Sequence, residues 1–365
     1  MKTNLIYILG MMCLSGTVSA QTTVNYTEFE QKVLDYSQTL KQSVSQRTAM
    51  QKAMKAAKTA FFPAVDATGS YQYRINKYDM DFGGMAVPME HDSYSAEVGV
   101  VQPIYAGGSI YHTYKASQIQ SQIADKSVDL TTDNLIYAAE ASYWGTAAQK
   151  EMYKTMCQYV EIISQLTKVL QDKYDDGYIS KTDLIQMQTR LKEAELQRSS
   201  SYQSYQIALQ NMNVLMGLEP DKEVGLVDSI FVELPLPAYV GADAALNVRP
   251  DYAISQLDVD YQKRQVKLAA AKYNPSLSIG FKETWGTQML NISGETMFNS
   301  NVYASVKLPL FHWGARFKST AAQKAILLGK QYALQDKQDQ ITKEVAKAWT
   351  SPVSYTHLRA HETVL

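Results

Sequence analysis

The sequence has little of what a disulfide-bonded or nucleic-acid-binding protein needs. It contains two cysteines among 365 residues, Cys13 and Cys157. We expect Cys13 to be removed with an N-terminal segment, so the mature chain can form no intramolecular disulfide. The net charge is −1, which argues against a nucleic-acid partner because such a partner selects a basic face.

Long hydrophobic runs are scarce as well. The run from Leu5 to Leu14 follows Lys2 and precedes small residues that end at Ala20, a pattern that predicts a signal peptide over residues 1–20 with cleavage after Ala20. It is too short to cross a bilayer, which takes about 20 apolar residues. We find no other candidate transmembrane helix, so a mature chain that enters a membrane must do so as strands.

Enzymatic motifs are also missing. The five histidines form no HExxH pair, and the sequence has no CxxC, no phosphate-binding glycine loop and no GxSxG. We therefore expect no catalytic residue, no metal site and no cofactor.

The sequence does contain clear alternation with a period of two. Apolar and aromatic side chains alternate with polar ones from Val65 to Ile75 and again around Ala96 to Val100. The same pattern returns around Leu277 to Phe281 and around Val302 to Leu308. It predicts four strands in two hairpins, with residues 77–92 as a loop in the first.

Helical periodicity surrounds these strands. One helix is predicted over Thr27–Thr59, and a second runs from Ser109 to about Tyr174, which would be about 100 Å long. At the break after it, Gly177 suits the left-handed residue that closes a helix. Ser180 and Asp183 there resemble a capping box. A return helix through Met216 should pack antiparallel to the long one.

The stretch predicted to lead from a strand into a helix occurs twice in the sequence. Ser93–Tyr111 and Asn299–Phe317 align without a gap, so that Pro103 falls on Pro309 and Gly108 on Gly314. We interpret both as strand-to-helix junctions, where the prolines end the strand pairing and the glycines let the chain turn into a helix. The junction residues are Pro103, Gly107, Gly108, Pro309 and Gly314.

This repetition predicts the domain organisation. The first structural repeat covers residues 21–217, a connecting segment covers 218–246, and an incomplete second repeat covers 247–350. Residues 351–365 lack helical periodicity, and Pro352 should break the preceding helix. We expect them to form a foreign or disordered tail, so the chain looks like a fragment.

The order of these elements resembles the TolC family of outer-membrane efflux proteins. No single motif decides the resemblance; it rests on their order and on the internal repeat. The stretches that carry it are Phe62-Pro63, Val101–Gly108, Tyr174–Leu184, Asn247–Asp251, Asn274-Pro275 and Leu308–Phe311.

The resemblance implies a mainly α fold with β-hairpins, in which long antiparallel helical hairpins form a periplasmic α-barrel tunnel. Each protomer of a homotrimer would give four strands to a twelve-stranded barrel in outer-membrane lipid. The trimer would dock onto a periplasmic membrane-fusion adaptor joined to an inner-membrane pump, in efflux or type I secretion. No gate residue is carried over.

The resemblance also implies roles for particular residues. The turn formed by Gly177, Ile179, Ser180, Asp183 and Leu184 would contact the adaptor, although an ordinary capped turn needs the same Gly and Ser. The polar strand face, with Asp66, Arg74, Glu97 and Lys307, should line the lumen, unless it is the solvated face of a soluble sheet. Interfacial girdles are expected from Tyr71, Tyr73, Tyr94, Tyr105 and Trp285.

A second hypothesis belongs to another class of protein. The chain could be a periplasmic coiled-coil scaffold or adaptor without a pore, with the strands forming a small separate domain. Membrane fractionation distinguishes the two, since a channel would be a trimer that needs detergent and a scaffold would be a water-soluble monomer.

Overall fold

The computed structural model describes residues 22–76, 79–88, 90–231, 240–287 and 295–364. The helices are α1 Tyr26–Tyr36, α2 Gln38–Thr59, α3 Ser109–Asp175, α4 Lys181–Leu215, α5 Ala242–Val248, α6 Pro250–Ala271 and α7 Ala315–Val364. The strands are β1 Thr22–Val24, β2 Ala64–Tyr73, β3 Asp79–Phe82, β4 Met85–Pro88, β5 Asp92–Ala106, β6 Val224–Leu226, β7 Ser276–Gly286 and β8 Met297–Lys307. The predicted signal peptide and its cleavage site lie outside the described residues.

The chain divides into two compact units. One combines the residues up to Gln38 with those from Thr132 to Leu234, and the other combines Thr39–Thr131 with the residues from Pro235 onward. The predicted single helix over 27–59 is wrong at this boundary, because helix α1 ends at Tyr36 and α2 begins at Gln38. The break lets Phe29 and Val33 of α1 pack in the first unit.

The first unit is built around a hydrophobic cluster. Phe29 from α1, Tyr143 from α3 and Met212 from α4 are fully buried there. Strand β1 pairs in parallel with β6, so that Thr22 lies opposite Val224. This pairing joins the start of the described chain to the connecting segment, and three-residue strands carry too little periodicity to predict it.

The predicted long helical hairpin is confirmed. Helix α3 has 67 residues, and at about 1.5 Å per residue it is about 100 Å long. Gly177 has φ of 78° after its end. Ser180 accepts a hydrogen bond from the amide of Asp183, whose carboxylate accepts one from the amide of Ser180, so the capping box is complete.

The second unit contains a four-stranded antiparallel sheet with the strand order β2-β5-β7-β8. The two predicted hairpins are therefore joined through β5 and β7. The predicted loop over residues 77–92 contains a further hairpin, β3 with β4. Gly83 and Gly84 form its turn at φ of 66° and 96°, as a two-residue turn with both φ values positive requires.

Helix α7 differs from its prediction. It continues through Pro352 to Val364 instead of ending near residue 350. A proline removes one main-chain hydrogen bond, but each residue added to an existing helix contributes a bond of its own. The predicted helix end is therefore wrong.

Candidate functional site: two faces of a sheet, its helical junctions and a helical turn

The first candidate surface is one face of the four-stranded sheet, and it is polar in all four strands. The strand register shows which residues share this face. Glu97 of β5 lies opposite Thr68 of β2 and Thr284 of β7, and Thr284 lies opposite Asn299 of β8. The following members alternate along the strands: Asp66, Thr68, Ser70, Gln72, Ser93, Ser95, Glu97, Ser278, Lys282, Thr284, Asn299, Asn301, Ser305 and Lys307.

An ion pair lies on this polar face. Lys282 Nζ is 3.0 Å from Glu97 Oε2, and the Thr284 hydroxyl donates to the same oxygen at 3.2 Å. The side chains of Lys282 and Glu97 remain 41% and 35% exposed. Such a pair contributes at most about 1 kcal/mol to stability, so its main effect is to keep charge on a hydrated surface.

Three of the four predicted lumen residues share this face. Asp66 lies opposite Gly99, two positions from Glu97, and Lys307 is the last residue of β8, opposite Ser276. Arg74 lies beyond the end of β2, where its amide donates to the carbonyl of His91 at 2.6 Å. The prediction that Arg74 occupies a strand position is wrong, because β2 ends one residue earlier.

The opposite face of the sheet is apolar and exposed in the single chain. Val98, Phe281 and Val302 lie at its centre, and Val302 is 84% exposed. At the loop end the rings of Tyr94 and Trp285 are 5.6 Å apart; Tyr71, Tyr73 and Phe298 lie at the same end. Tyr105 lies near the junction end, opposite Leu277.

Two carboxylates lie on the apolar face, Asp92 at its loop end opposite Tyr73 and Glu283 nearer its centre. Glu283 lies opposite Ser300 of β8 and Val98 of β5. Its carboxylate accepts a hydrogen bond from the Ser300 hydroxyl. This position is two residues from Trp285, next to the aromatic end of the face.

The first strand-to-helix junction corrects the role predicted for Pro103. Strand β5 continues through Pro103, opposite Ser278, to Ala106. The register shifts between Pro103 and Tyr105, so one residue bulges out and the ladder resumes. A proline is tolerated at such an irregularity because its missing N–H is not needed there.

Gly107 and Gly108 make the turn into α3. Their φ values are 65° and 87°. A Cβ added to Gly107 would lie 2.6 Å from the carbonyl oxygen of Ala271 and 2.9 Å from the Cβ of Asn274. The Asn274 side chain donates to the carbonyl of Gly107 at 2.9 Å. The junction therefore closes on the end of α6, and only glycine fits at position 107.

At the second junction, Pro309 and Gly314 have different surroundings from Pro103 and Gly108, with which they align. Strand β8 ends at Lys307, so Pro309 lies outside the sheet. Gly314 has φ of 72°, but a Cβ there would have no atom within 4 Å. Trp313 beside it also has a positive φ, of 48°, and its ring lies 5.0 Å from that of Phe311.

The helical turn between α3 and α4 presents some of its predicted residues and hides one. Gly177 and Ser180 are exposed, and Ile179 is half-buried. Leu184 is only 5% exposed, so it supports the helical hairpin and cannot offer a contact surface. Tyr178, which the sequence reasoning passed over, is 80% exposed.

The polar and apolar sheet faces, the junctions and the helical hairpin together match known proteins. The family model described as outer membrane efflux protein matches residues 30–218 and 241–353. This chain belongs to the outer membrane efflux protein family. Its location is accordingly the outer membrane, with the helical part in the periplasm.

The relatives of this chain are distant in sequence. It is 22% identical over 282 residues to the alkaline protease secretion protein AprF of Pseudomonas aeruginosa, which covers 75% of this chain. The chain spans 58% of the length of that relative.

Two solved structures have a similar fold. CusC superposes with a TM-score of 0.78 at 13% identity, over 93% of this chain and 78% of CusC. The CmeC outer membrane channel of Campylobacter jejuni gives 0.76 at 16% identity, over 93% and 74%. At these identities the likeness concerns the fold.

The chain also has a charge network that sequence reasoning did not identify. Arg249 donates to both carboxylate oxygens of Asp251, at 3.0 and 2.9 Å, and to Glu344 at 2.6 Å. Lys337 Nζ lies 3.2 Å from Asp251. Burial raises the pKa of Asp251, but hydrogen bonds from Arg249 and Lys337 outweigh it and hold the pKa below its usual value.

This network explains the Arg-Pro-Asp sequence at residues 249–251. Pro250 is the first residue of α6, where its missing N–H costs nothing. Arg249 and Asp251 flank it and connect the start of α6 to α7. The signal available in the sequence was the Arg-Pro-Asp triplet itself, but its partners Lys337 and Glu344 lie more than 80 residues away.

Proposed function

We propose that the chain is the outer-membrane exit channel of an efflux or type I secretion system, through which substrates pass without chemical change. The observation that carries this proposal is the sheet with one mainly polar face, interrupted by the row Ala64, Val101, Gly280 and Tyr303, and one exposed apolar face. Successive side chains of a membrane-spanning strand point alternately to the lipid and to the lumen, which gives a sheet with two such faces. Strands β7 and β8 have 11 residues each, the length with which a tilted strand crosses a bilayer.

The membrane assignment gives each face a partner. Val98, Phe281 and Val302 meet lipid, with aromatic residues at both ends of the strands near the two interfaces. The polar face lines the lumen, where Glu97 and Lys282 stay hydrated. Glu283 lies opposite Val98, on the side of the centre toward Trp285, and its carboxylate accepts a hydrogen bond from Ser300.

The same sheet supports a homotrimer. Strands β2 and β8 are its edges, and in lipid an unpaired strand edge leaves backbone groups without partners. Pairing of β8 with β2 of the next copy closes the sheet, and three copies supply the twelve strands of the proposed barrel.

Adjacent residues on opposite faces test the membrane assignment. Val302→Lys places a charge on the lipid face and should destabilise the inserted protein by about 2–4 kcal/mol. Asn301→Lys, on the lumen face, should cost little. The measurement is the yield of detergent-extracted trimer and its urea unfolding after reconstitution into lipid vesicles.

The outcome that contradicts the channel is equally specific. In water Val302 is already exposed, so a soluble sheet would tolerate lysine at both positions. Equal tolerance, together with a monomer that stays in the aqueous fraction, would favour a periplasmic scaffold.

The periplasmic partner is proposed at the turn between α3 and α4. We assign contact with a membrane-fusion adaptor, itself joined to an inner-membrane pump, to Gly177, Ile179, Ser180 and Asp183, and add Tyr178. Tyr178 offers an exposed aromatic anchor of the kind that dominates binding energy at interfaces. Leu184 holds the turn from within.

A matched pair of tyrosines tests this contact. Tyr178 and Tyr137 are 80% and 74% exposed, so replacement of either by alanine should leave the fold intact. Tyr178→Ala should reduce dye export and cross-linking to the adaptor, whereas Tyr137→Ala should not. Equal export by the two variants would refute the contact at Tyr178.

A further inference from the structure

Each strand of the four-stranded sheet places one charged side chain on the polar face. The inner strands β5 and β7 carry Glu97 and Lys282, which pair with each other at 3.0 Å. The edge strands β2 and β8 carry Asp66 and Lys307. The two edges of the sheet therefore bear charges of opposite sign.

The two edge charges lack partners in the single chain. Asp66 and Lys307 are exposed, and among the residues that the structure describes neither side chain has a salt bridge or a hydrogen bond. Lys282 lies in the same row as Asp66, across Gly99, but its ammonium group is paired with Glu97. Both edge charges are thus available to a residue of another chain.

The strand ends are staggered across the sheet. The row through Ala64, the first residue of β2, reaches β8 at Tyr303, and β8 continues four residues further, to Lys307. The row through Met297, the first residue of β8, reaches β2 at Ser70, and β2 continues three residues further. The ends step in the same direction at both ends of the sheet, as they do where strands tilt against the axis of a barrel.

This tilt limits how β8 of one copy can meet β2 of the next. Strands of a membrane barrel tilt by about 35–45°. With strands about 4.8 Å apart and about 3.4 Å per residue, such a tilt shifts the register by about four to six residues across the four strands of one protomer.

The two sheet faces narrow the range further. A shift by an odd number of residues would set polar positions of one copy on the apolar face of the next, so only shifts of four and six remain. Counted from the row of Ala64 and Tyr303, they place Asp66 of the next copy opposite Ser305 or opposite Lys307.

Charge selects between these two registers. Opposite charges directly across an antiparallel strand pair stabilise it, whereas the other register sets Asp66 of the next copy opposite an uncharged serine. We infer that β8 of one copy pairs with β2 of the next in the register that sets Lys307 opposite Asp66 of the next copy. Their ion pair closes each seam, the contact between β8 and the next copy's β2, on the polar face.

The opposite signs also favour one way of assembling the copies. Two β2 edges brought together would collect negative charge, and two β8 edges would collect positive charge. Pairing of unlike edges is heterologous, and such contacts form a ring where the rotation closes. The inference rests on the proposed function, because only the closed homotrimer brings β8 and β2 together.

Cysteine cross-linking measures the register. Cys157→Ser removes the cysteine that would remain after signal-peptide cleavage. In that background Asp66→Cys/Lys307→Cys should form covalent oligomers on oxidation about tenfold faster than Asp66→Cys/Ser305→Cys, because a disulfide needs Cα atoms within about 7 Å. Within one chain these positions are three strands apart, at about 4.8 Å per strand, so each disulfide must join two copies. Equal rates, or faster reaction of the pair with Ser305→Cys, overturn the register.

Exchange of the two charges tests the ion pair itself. Asp66→Lys and Lys307→Asp each set like charges opposite each other at every seam, and each should lower the trimer-to-monomer ratio in detergent by at least about tenfold. Asp66→Lys/Lys307→Asp restores opposite signs and should recover the parent ratio. The control Gln72→Lys adds positive charge to the same face, opposite Asn301 of the next copy, and should leave the ratio unchanged. A double variant as weak as the single ones, or an equal loss in Gln72→Lys, overturns the pair.

Failure of the proposed function is read separately. Flotation with phosphatidylcholine vesicles measures insertion, and native mass spectrometry in neutral detergent measures the oligomeric state. A parent chain that does not insert, or that inserts as a monomer, refutes the trimeric channel and the seam with it. A parent chain that inserts as a trimer while its variants fail the cross-linking and charge-exchange tests refutes only the seam.

Discussion

Gly107 offers the sharpest test of how the sheet is joined to the helices. It has φ of 65°, and an added Cβ would meet the backbone oxygen of Ala271 at 2.6 Å. Left-handed backbone costs an L-residue about 1–2 kcal/mol. Relief of the clash requires a backbone shift, which costs a further 1–3 kcal/mol or so. Gly107→Ala should therefore lower the free energy of unfolding by about 2–5 kcal/mol.

The internal repeat supplies the control. Gly314 shares the positive φ, at 72°, but an added Cβ would have no atom within 4 Å. Gly314→Ala should cost only the backbone term of about 1–2 kcal/mol. Gly108→Ala, whose nearest atom would be a ring carbon of His112 at 3.6 Å, should behave like Gly314→Ala.

Urea unfolding in detergent, followed by far-ultraviolet circular dichroism, measures these differences. The expected order is a loss at Gly107 that exceeds the losses at Gly108 and Gly314 by about 1–3 kcal/mol. Equal losses at all three positions would refute the close approach of the junction to α6 and leave only backbone conformation as the cause.

Three further outcomes are expected. The buried Tyr143 hydroxyl lies 2.7 Å from Asp228 Oδ2 and 3.0 Å from the carbonyl oxygen of Val24, and it donates to both. Tyr143→Phe should therefore lower the free energy of unfolding in urea by about 1.5–3 kcal/mol. The exposed Tyr137→Phe should lower it by almost nothing, and equal losses would refute this role of the Tyr143 hydroxyl. The pKa of Asp251 is lowered in the folded state. Its contribution to the free energy of unfolding is therefore complete above about pH 4 and is lost as the pH falls through the folded-state pKa. The free energy of unfolding should depend less on pH in Asp251→Asn than in the parent chain, and identical slopes would contradict the network. Lys337→Met should destabilise the parent chain but have a smaller effect in Asp251→Asn, and additive losses in this double-mutant cycle would show that the two residues do not interact.

The two junctions show that residues aligned within the internal repeat can occupy different structural positions. Pro103 and Pro309 align without a gap, yet Pro103 lies inside a strand and Pro309 beyond one. Strand β2 pairs with β5 only as far as Val101, so at Pro103 strand β5 has β7 as its one neighbour, as β8 has. Pro103 lies opposite Ser278, inside β7, whereas Lys307 lies opposite Ser276, the first residue of β7, so Pro309 lies past the end of its partner strand.

Local chemistry explains which predictions were correct. The long helix, the turn at Gly177 and the capping box of Ser180 with Asp183 all follow from residues within a few positions of one another. The two faces of the sheet follow from alternation in the same way, because successive side chains of a strand point to opposite sides. Arg74 was misplaced by one residue, at a strand end, where alternation carries no boundary signal.

The helical hairpin, the four main strands, their polar and apolar faces and, through the order of these elements, the family could all be predicted from the sequence. Features whose partners are distant along the chain became visible only in the folded structure. These are the parallel pairing of β1 with β6, the close fit of Gly107 against α6 and the Arg249 network. The physical reason is that periodicity records which face of an element is buried, but not which other element covers it.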